Sequence, residues 1–275
     1  MRHRMAVVSC GLLGLVVLMA VLADFIAPRG PYAVDYEQVL APPGAEHILG
    51  TDRVGRDVWA RLCVGSRVSL AVGLVAVVIA QFIGIVFGAL AGYYGRVVDS
   101  VIMRLTDVML CFPWLILMLV VAAAFGPGLS RTMLVIGLIS WPRLARIVRA
   151  EFLSLREQDF VLAASCLGAS GGRLILYHFL PNVVPYVIVE ATFGMADAIL
   201  SEAALSFLGM GVAVPTPSWG NMLRDAQSLH VLSNAPWFWL PPGVAVSLTV
   251  LAIHFIGDGF RDALDPRALV ESRRS

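Results

Sequence analysis

The sequence contains no lysine, since all 20 of its basic residues are arginine. A Walker A loop needs a lysine to contact the nucleotide phosphates, so this chain is not a standard P-loop ATPase. Schiff-base lysine chemistry is excluded by the same absence. Charged residues are also few: they make up 14% of the chain, against about 25% in soluble domains. With 59% hydrophobic residues, the composition predicts an integral membrane protein with one membrane domain.

Cysteine and histidine are too few and too scattered to predict a metal site or a catalytic residue. The four cysteines stand alone, without a C-x-x-C or Cys/His spacing, so we expect free thiols. The five histidines share no motif, and His254 stands in the last apolar run without a partner. An intramembrane enzyme would need a nucleophile with a base or a metal cluster, so this class of function is disfavoured.

Six apolar runs predict an all-α polytopic membrane protein with six transmembrane helices and with both termini in the cytoplasm. In this arrangement most arginines lie on the cytoplasmic side, as the positive-inside rule requires. Four regions follow from it: residues 1–27 are the first transmembrane helix, 28–68 an extracytoplasmic loop, 69–260 the transmembrane domain and 261–275 a cytoplasmic tail. A signal peptide is the alternative for the first run, but that run is longer than the usual apolar core and lacks a clear cleavage site.

The extracytoplasmic loop is expected to contain an interfacial helix. Thr51 or Asp52 can cap such a helix, and Val54, Val58 and Leu62 then share one of its faces. The helix would lead into the second membrane span.

The spans after the first are expected at residues 69–92, 101–125, 131–150, 184–208 and 240–256. Glycines at four-residue spacing in the second span predict close helix packing, with pore lining as the alternative: Gly84, Gly88 and Gly92. Pro113 predicts a kink in the third span, and Pro142 predicts an interruption near the end of the fourth. Three arginines follow that proline, where they can meet lipid head groups or a partner protein: Arg143, Arg146 and Arg149.

A polar stretch at about residues 151–183 cannot lie in hydrocarbon, because it contains acids, arginines and a histidine. Asp159 can cap a first short helix, which residues 168–172 would break. A second short helix is expected at residues 174–180, with Pro181 and Pro185 marking the return to the membrane. A structured loop of this size indicates a docking element for another protein, with an ordinary amphipathic connector as the alternative.

Three carboxylates interrupt the fifth predicted span. Acids are costly inside a membrane, so these residues are functional candidates. At about 100° per residue, Glu190 and Asp197 share a face with Ser201, whereas Glu202 lies about 120° away. All four are candidates for the translocation path, with hydrogen bonding between helices as the alternative. The two acids on one face also hint at a cationic substrate.

The polar stretch resembles the EAA loop of ABC importer permeases. The resemblance lies in Ala163-Ala164, Gly168 and Leu180-Pro181, whereas Leu162 and His178 stand where the family has Glu and Ile. In that family the loop forms a coupling helix that inserts into a cleft of the ATPase subunit. The resemblance therefore implies that this loop couples to an ATPase, through the following residues: Ala163, Ala164, Gly168, Ala169, Ser170, Arg173 and Pro181.

Other segments resemble the second permease subunit of dipeptide, oligopeptide and nickel ABC importers. They are His47-x-Leu49-Gly50-Thr51-Asp52-x-x-Gly55-Arg56-Asp57, the segment at residues 202–209, Val214-Pro215-x-Pro217-Ser218-Trp219-Gly220 and the closing segment at residues 257–267. Because these motifs occur in the family's order over nearly the whole chain, coincidence is a poor explanation. The resemblance implies that an extracytoplasmic binding protein faces Asp52, Arg56, Pro217 and Trp219.

The resemblance also implies a set of partners and a mechanism. A homologous permease subunit would complete the pathway, two ATPase subunits would bind ATP and magnesium, and a substrate-binding protein would deliver di- or oligopeptides for import by alternating access. This chain would hold no cofactor, bind no nucleic acid and reside among the lipids of the bacterial plasma membrane. Nickel, glutathione or another small solute is the alternative substrate. A stand-alone ion-coupled transporter with Glu190 and Asp197 as its relay is the alternative of another class.

Overall fold

The computed structural model describes residues 2–264, which contain helices and no strand. The order of the helices is α1 Arg2–Val21, α2 Ala23–Ile26, α3 Val58–Tyr94, α4 Arg96–Cys111, α5 Trp114–Phe125, α6 Leu129–Arg156, α7 Asp159–Cys166, α8 Gly171–Leu174, a π-helical turn Ile175–Phe179, α9 Leu180–Phe207, α10 Trp219–Asp225, α11 Leu229–Asn234 and α12 Pro236–Leu264. The all-α prediction is confirmed for this part of the chain.

The pair α3 and α6 forms the centre of the bundle. The predicted glycine stripe faces α6: a Cβ on Gly84 would lie 2.9 Å from the Leu144 Cβ, and one on Gly92 would lie 2.5 Å from the Phe152 Cβ. A Cβ on Gly88 would meet the Ala145 carbonyl oxygen at 2.7 Å. The stripe therefore serves helix packing within this chain, as the spacing predicts.

The remaining long helices surround this pair. Helix α9 packs on α3, α6 and α12, and α1 packs on α12 and α3. One core cluster joins α1, α3, α9 and α12 near the N-terminal end of α3, and another lies between the middle of α3, α5, α6 and α9. These interfaces fix α6 and α9 side by side, and the charged residues described below lie on both helices.

Residues 28–57 and 209–235 fold together at one end of the bundle into a mostly irregular unit, which we call the lobe. Arg53 donates a hydrogen bond to the Asp225 carbonyl oxygen at 3.3 Å, and the Arg56 guanidinium lies 3.3 Å from the Asp225 carboxylate. At about 1.5 Å per residue, the 37 residues of α3 carry the chain roughly 55 Å away from the lobe. The middle of the polar stretch, residues 157–174, therefore lies at the opposite end of the bundle.

The predicted interfacial helix does not form as a separate element. Asp57, rather than Thr51 or Asp52, is the N-cap: its carboxylate accepts the Ala60 N–H at 2.7 Å, and the helix then continues without a break to Tyr94. Val54 precedes this helix. Asp52 is unavailable as a cap because its carboxylate is engaged within the lobe.

The third predicted span is broken more sharply than a kink. Helices α4 and α5 meet at an angle of 96° on either side of Phe112 and Pro113. By length and apolar composition, four described helices could cross a membrane, and a fifth if the bent pair counts as one span. Helix α6, the fourth predicted span, has 28 residues but carries several arginines.

Prolines interrupt the helices less than the sequence predicts. Pro142 lies inside α6, which continues to Arg156. Pro181 and Pro185 lie inside one continuous run from Gly171 to Phe207, so the second short helix of the polar stretch is not separate from the fifth span. Before Pro181 the hydrogen bonding changes from the α-helical to the π-helical pattern, in which the Leu180 N–H binds the Ile175 carbonyl, and the helix continues through the proline.

The predicted tail begins inside a helix, since α12 extends to Leu264. The rest of the family's closing signature, including Asp265, Pro266 and Arg267, lies outside the described residues.

Candidate functional site

The polar stretch at residues 157–174, which we call the coupling segment, is anchored to the end of the bundle by buried apolar side chains. Val161, Leu174 and Phe179 are buried, and Phe179 stacks on Phe152 of α6 at 4.8 Å between ring centroids. Tyr93, at the end of α3, lies against the same ring. These contacts hold the segment to the ends of α3 and α6.

The turn after α7 explains the spacing between Ala164 and Gly168. The Ala169 N–H binds the Ala164 carbonyl at 3.1 Å, and the Gly168 N–H binds the Ser165 carbonyl at 3.0 Å. This pair of bonds is a Schellman motif with Gly168 as its left-handed residue, at φ +80°. No other atom lies within 4 Å of a Cβ built there, so glycine is required for its backbone conformation and not for space. Asp159 is the first residue of α7, and Gln158 occupies the cap position.

The opposite face of the coupling segment is uncovered. Ala163, Gly168, Ser170 and Arg173 are exposed, whereas Ala164 and Ala169 are half-buried against the anchor. Large apolar side chains lie beside them in the open: Phe160, Leu162, Leu167, Leu176 and Tyr177. Pro181, the second residue of α9, is also exposed. The exposed members of the predicted coupling set thus lie among exposed apolar side chains, which suits contact with a protein partner.

A second feature is a cavity of about 360 Å³ on the side of the bundle, between α6, α9 and the break between α4 and α5. Glu190, Asp197 and Ser201 of α9 line it, as their shared face predicts. The Arg143 Nε lies 3.2 Å from the Glu190 Oε1, and its Nη1 lies 3.7 Å from the Asp197 Oδ2. The Ser201 hydroxyl donates to the Asp197 carbonyl at 2.6 Å.

Sequence reasoning placed Arg143, Arg146 and Arg149 at lipid head groups or a partner, but all three pair within the chain. Arg143 reaches the cavity acids, Arg146 donates to Asp107 at 2.5 Å, and Arg149 donates to both carboxylate oxygens of Asp99. The acids lie far away in sequence, so only the packing of α4 and α9 against α6 shows these pairs. In the sequence, the three-residue spacing of the arginines was the one feature that could have pointed to these ion pairs.

Glu202 lies outside the cavity, as its 120° offset on α9 indicates. Its side chain is fully buried and accepts hydrogen bonds from the Ser69 hydroxyl at 3.0 Å and the Ser206 hydroxyl at 2.7 Å. Ser69 in turn accepts the Trp219 N–H at 3.2 Å. Glu202 therefore joins α3, α9 and α10, and the alternative of hydrogen bonding between helices describes its contacts.

The four residues expected to face a binding protein lie inside the lobe. Asp52 and Trp219 have no exposed surface, Pro217 is buried, and the Arg56 side chain is 12% exposed. Asp52 accepts the N–H groups of Val54 and Arg56 at 2.9 Å and the Arg56 Nε at 2.6 Å. Because buried side chains cannot touch a second protein, these residues shape the lobe instead. The exposed apolar side chains of the lobe include Tyr36, Ile48, Val54, Val214 and Leu229.

Across residues 2–264, no three His, Cys, Asp or Glu side chains are grouped so that they could hold a metal ion. The cysteines described there are all free thiols.

A helical membrane domain with a charged cavity on its side and an exposed helical segment at one end defines a subunit of a membrane transporter. Comparison with protein families agrees. The family described as the binding-protein-dependent transport system inner membrane component matches residues 84–270. The family described as the N-terminal TM domain of oligopeptide transport permease C matches residues 1–43.

Individual relatives extend this match to nearly the whole chain. A putative peptide permease protein of Brucella suis is 48% identical over 241 residues, which cover 88% of this chain and 80% of the relative. The dipeptide transport system permease protein DppC of Alkalihalophilus pseudofirmus is 41% identical over 266 residues, or 97% and 87% of the two chains. A putative peptide transport system permease protein of Brucella abortus is 44% identical over 271 residues, or 98% and 90%.

The chain therefore belongs to the family of inner membrane components of binding-protein-dependent transport systems. It is a multi-pass protein of the bacterial inner membrane.

Proposed function

We propose that this chain is a permease subunit of an ATP-driven importer that moves di- and oligopeptides across the inner membrane by alternating access. The names of its relatives support the peptide as substrate, because two are called peptide permeases and a third a dipeptide transport permease. In alternating access, the charged cavity would open to each side of the membrane in turn.

The observation that carries the proposal is the coupling segment. Its exposed face combines small side chains at Ala163 and Gly168 with apolar ones at Leu162 and Leu167, while its other face is fixed to α3 and α6. A force applied to this surface would therefore be transmitted directly to the two central helices. We expect an ATPase subunit to be the partner that binds this surface and applies the force.

The proposal includes six membrane spans and cytoplasmic termini. Helix α6 would be a further span, although its arginines lower its hydropathy. Its 28 residues extend about 42 Å. Acids of α4 and α9 compensate the charges of Arg143, Arg146 and Arg149. The bent pair α4 and α5 would return the chain between α3 and α6. The lobe then faces outward and the coupling segment faces the cytoplasm.

The cavity supports a second permease subunit as partner. Arg143 and Asp197 are each about 60% exposed on the side of the bundle, and such charges cannot face hydrocarbon. A homologous permease covering this side would enclose the pathway between the two chains. Glu190, Asp197 and Ser201 would line it.

The remaining partners are two ATPase subunits, which would hold ATP and magnesium, and a substrate-binding protein. The absence of lysine supports ATP hydrolysis on separate subunits. The binding protein would contact the lobe through its exposed side chains, including Tyr36 and Ile48. The buried set with Asp52 and Trp219 would hold that surface in shape.

Two glycines of the coupling segment provide a matched test. Gly168→Ala places a methyl group on a residue at φ +80°, whereas Gly172→Ala adds the same methyl at an ordinary φ with no atom within 4 Å. Strain of about 1–2 kcal/mol at Gly168 should distort the turn, so we expect peptide uptake by the reconstituted transporter to fall about tenfold. Gly172→Ala should stay within about twofold of wild type.

Co-purification of the ATPase subunits with each variant, together with their ATPase rate, shows how coupling fails. We expect Gly168→Ala to shed these subunits or to hydrolyse ATP without uptake. If both variants transport at the same rate with the subunits bound, the coupling role is wrong.

A further inference from the structure

One carboxylate in the cavity has no close partner among the described residues. The Asp197 side chain is 60% exposed, its nearest cation is the Arg143 guanidinium at 3.7 Å, and it has no hydrogen bond in the part of the chain that the structure describes. Arg143 lies nearer to Glu190, at 3.2 Å, and the Glu190 side chain is only 13% exposed. Arg143 therefore compensates Glu190 first and leaves Asp197 largely uncompensated.

The cavity as a whole is negatively charged. Among the residues that line it, Arg143, Glu190 and Asp197 are the charged side chains, so two carboxylates face one guanidinium. Helix α4 ends at the cavity, where Leu110 belongs to its wall. Helix α5 begins at the same cavity with Trp114, so the partial negative charge at the end of α4 and the partial positive charge at the start of α5 offset each other, and the charged side chains set the sign of the potential.

The walls of the cavity suit an organic cation. Trp114, the first residue of α5, lines the cavity and is 52% exposed, which brings an aromatic ring capable of a cation–π contact to the same wall as the charges. Met118, Ile139 and Leu200 supply apolar surface beside the charges. A volume of about 360 Å³ lies within the range of small-molecule sites.

We propose that this cavity binds a primary ammonium group of the transported solute and that Asp197 is its counter-ion. The proposal rests on the function proposed above and names a feature of the substrate. Arg143 holds Glu190 in place, and Trp114 covers the cation from the side. The ammonium group can be the amino terminus of a peptide or a basic side chain.

A labelling experiment tests the charge of the cavity without reference to any substrate. Leu200 lines the cavity and is 41% exposed. We would introduce Leu200→Cys into the assembled transporter after replacing the four native cysteines, and compare cationic trimethylammonium-ethyl with anionic sulfonatoethyl methanethiosulfonate. Rates are normalised to those of a free thiol in solution.

We expect the introduced thiol to react about fivefold faster with the cationic reagent than with the anionic one. Asp197→Asn should remove most of this preference, whereas Asp24→Asn should leave it unchanged, because Asp24 is an exposed acid of α2 that is paired with Arg67. An unchanged preference in Asp197→Asn, or a preference for the anionic reagent, would overturn the proposal.

An uptake experiment then identifies the source of the ammonium group. Three dipeptides are compared: one with a free amino terminus and neutral side chains, one acetylated with a lysine side chain, and one acetylated and neutral. Binding of each to the substrate-binding protein is measured first, and uptake is expressed per loaded binding protein.

Asp197→Asn should slow the ammonium-bearing dipeptides about tenfold relative to the acetylated neutral one, and Asp197→Glu should restore most of the rate. If Asp197→Asn slows uptake of only the dipeptide with a free amino terminus, or of only the one with a lysine side chain, that group is the source of the ammonium that the cavity binds. An equal effect on all three dipeptides would refute the role of Asp197. If wild type imports no dipeptide but the labelling preference holds, the peptide function fails and the cation site stands.

Discussion

At the scale of single residues, most polar side chains of the lobe are used inside this chain. His47 lies 2.7 Å from Asp57, Asp57 caps α3, and Thr51 bonds to both Gln38 and Ala41. These polar side chains of the motif at residues 47–57 are therefore structural: they hold the lobe in shape, whereas Ile48 and Val54 of the same stretch are exposed on its surface. The sequence singled out this motif, but it did not show that Asp52 would be buried inside the lobe.

Two glycines of the lobe allow this structural role to be tested. Gly55 and Gly30 both have positive φ, at +83° and +71°, but a Cβ on Gly55 would clash with the Asp35 carbonyl, whereas one on Gly30 would meet no atom within 4 Å. Both alanine variants should lose about 1–2 kcal/mol through strain. Gly55→Ala should lose about 1–3 kcal/mol more through the clash.

The midpoint of thermal unfolding in detergent, followed by tryptophan fluorescence, measures this difference. We expect Gly55→Ala to unfold several degrees below Gly30→Ala. Equal midpoints for the two variants would mean that the contact between Gly55 and Asp35 does not hold the lobe together.

At the scale of elements, α3 and α6 approach so closely that no Cβ fits at the three glycines of the stripe. The sequence predicted this contact from the spacing of Gly84, Gly88 and Gly92, because a small-residue stripe has few other uses in a membrane helix. It did not predict that α3 would begin at Val58, since the Asp57 cap is recognisable only once Asp52 is seen to be engaged elsewhere.

The packing role of the stripe predicts different effects for two valine substitutions. Gly88→Val would drive its side chain into Val148 and the Ala145 carbonyl, whereas Gly14→Val on α1 meets no atom within 4 Å. Gly88→Val should separate α3 from α6 at a cost of about 3 kcal/mol, so the yield of folded protein should fall strongly. Gly14→Val should leave it nearly unchanged.

Size-exclusion chromatography of detergent extracts measures the folded yield of both variants. A monodisperse Gly88→Val protein at the wild-type level would contradict the close contact between the two helices.

The break between α4 and α5 was the element least visible in the sequence. Pro113 indicated a kink, but the angle is 96°, and α4 is also tied to α6 by the pairs of Asp99 with Arg149 and Asp107 with Arg146. Pairs between residues so far apart in the chain follow from tertiary packing and not from a local pattern. The same reason kept Arg143 from being recognised as the partner of Glu190.

At the scale of the whole molecule, the sequence predicted the class, the order of most long helices and the two regions that a transporter needs. The coupling segment was predicted from its polar residues and its resemblance to the EAA loop, and the two acids were singled out because Glu190 and Asp197 stand out in an apolar helix. The inward placement of Asp52 and Trp219 could not be predicted, because burial depends on how the lobe folds.

The central claim is that this chain transports peptides only as part of an ATP-driven assembly. The most direct measurement is uptake of a radiolabelled dipeptide into proteoliposomes that contain this chain, its homologous permease and the two ATPase subunits. We predict uptake only when the binding protein is on the side of the lobe and ATP with magnesium is on the side of the coupling segment. Equal uptake without ATP, or by this chain alone under an ion gradient, would contradict the account.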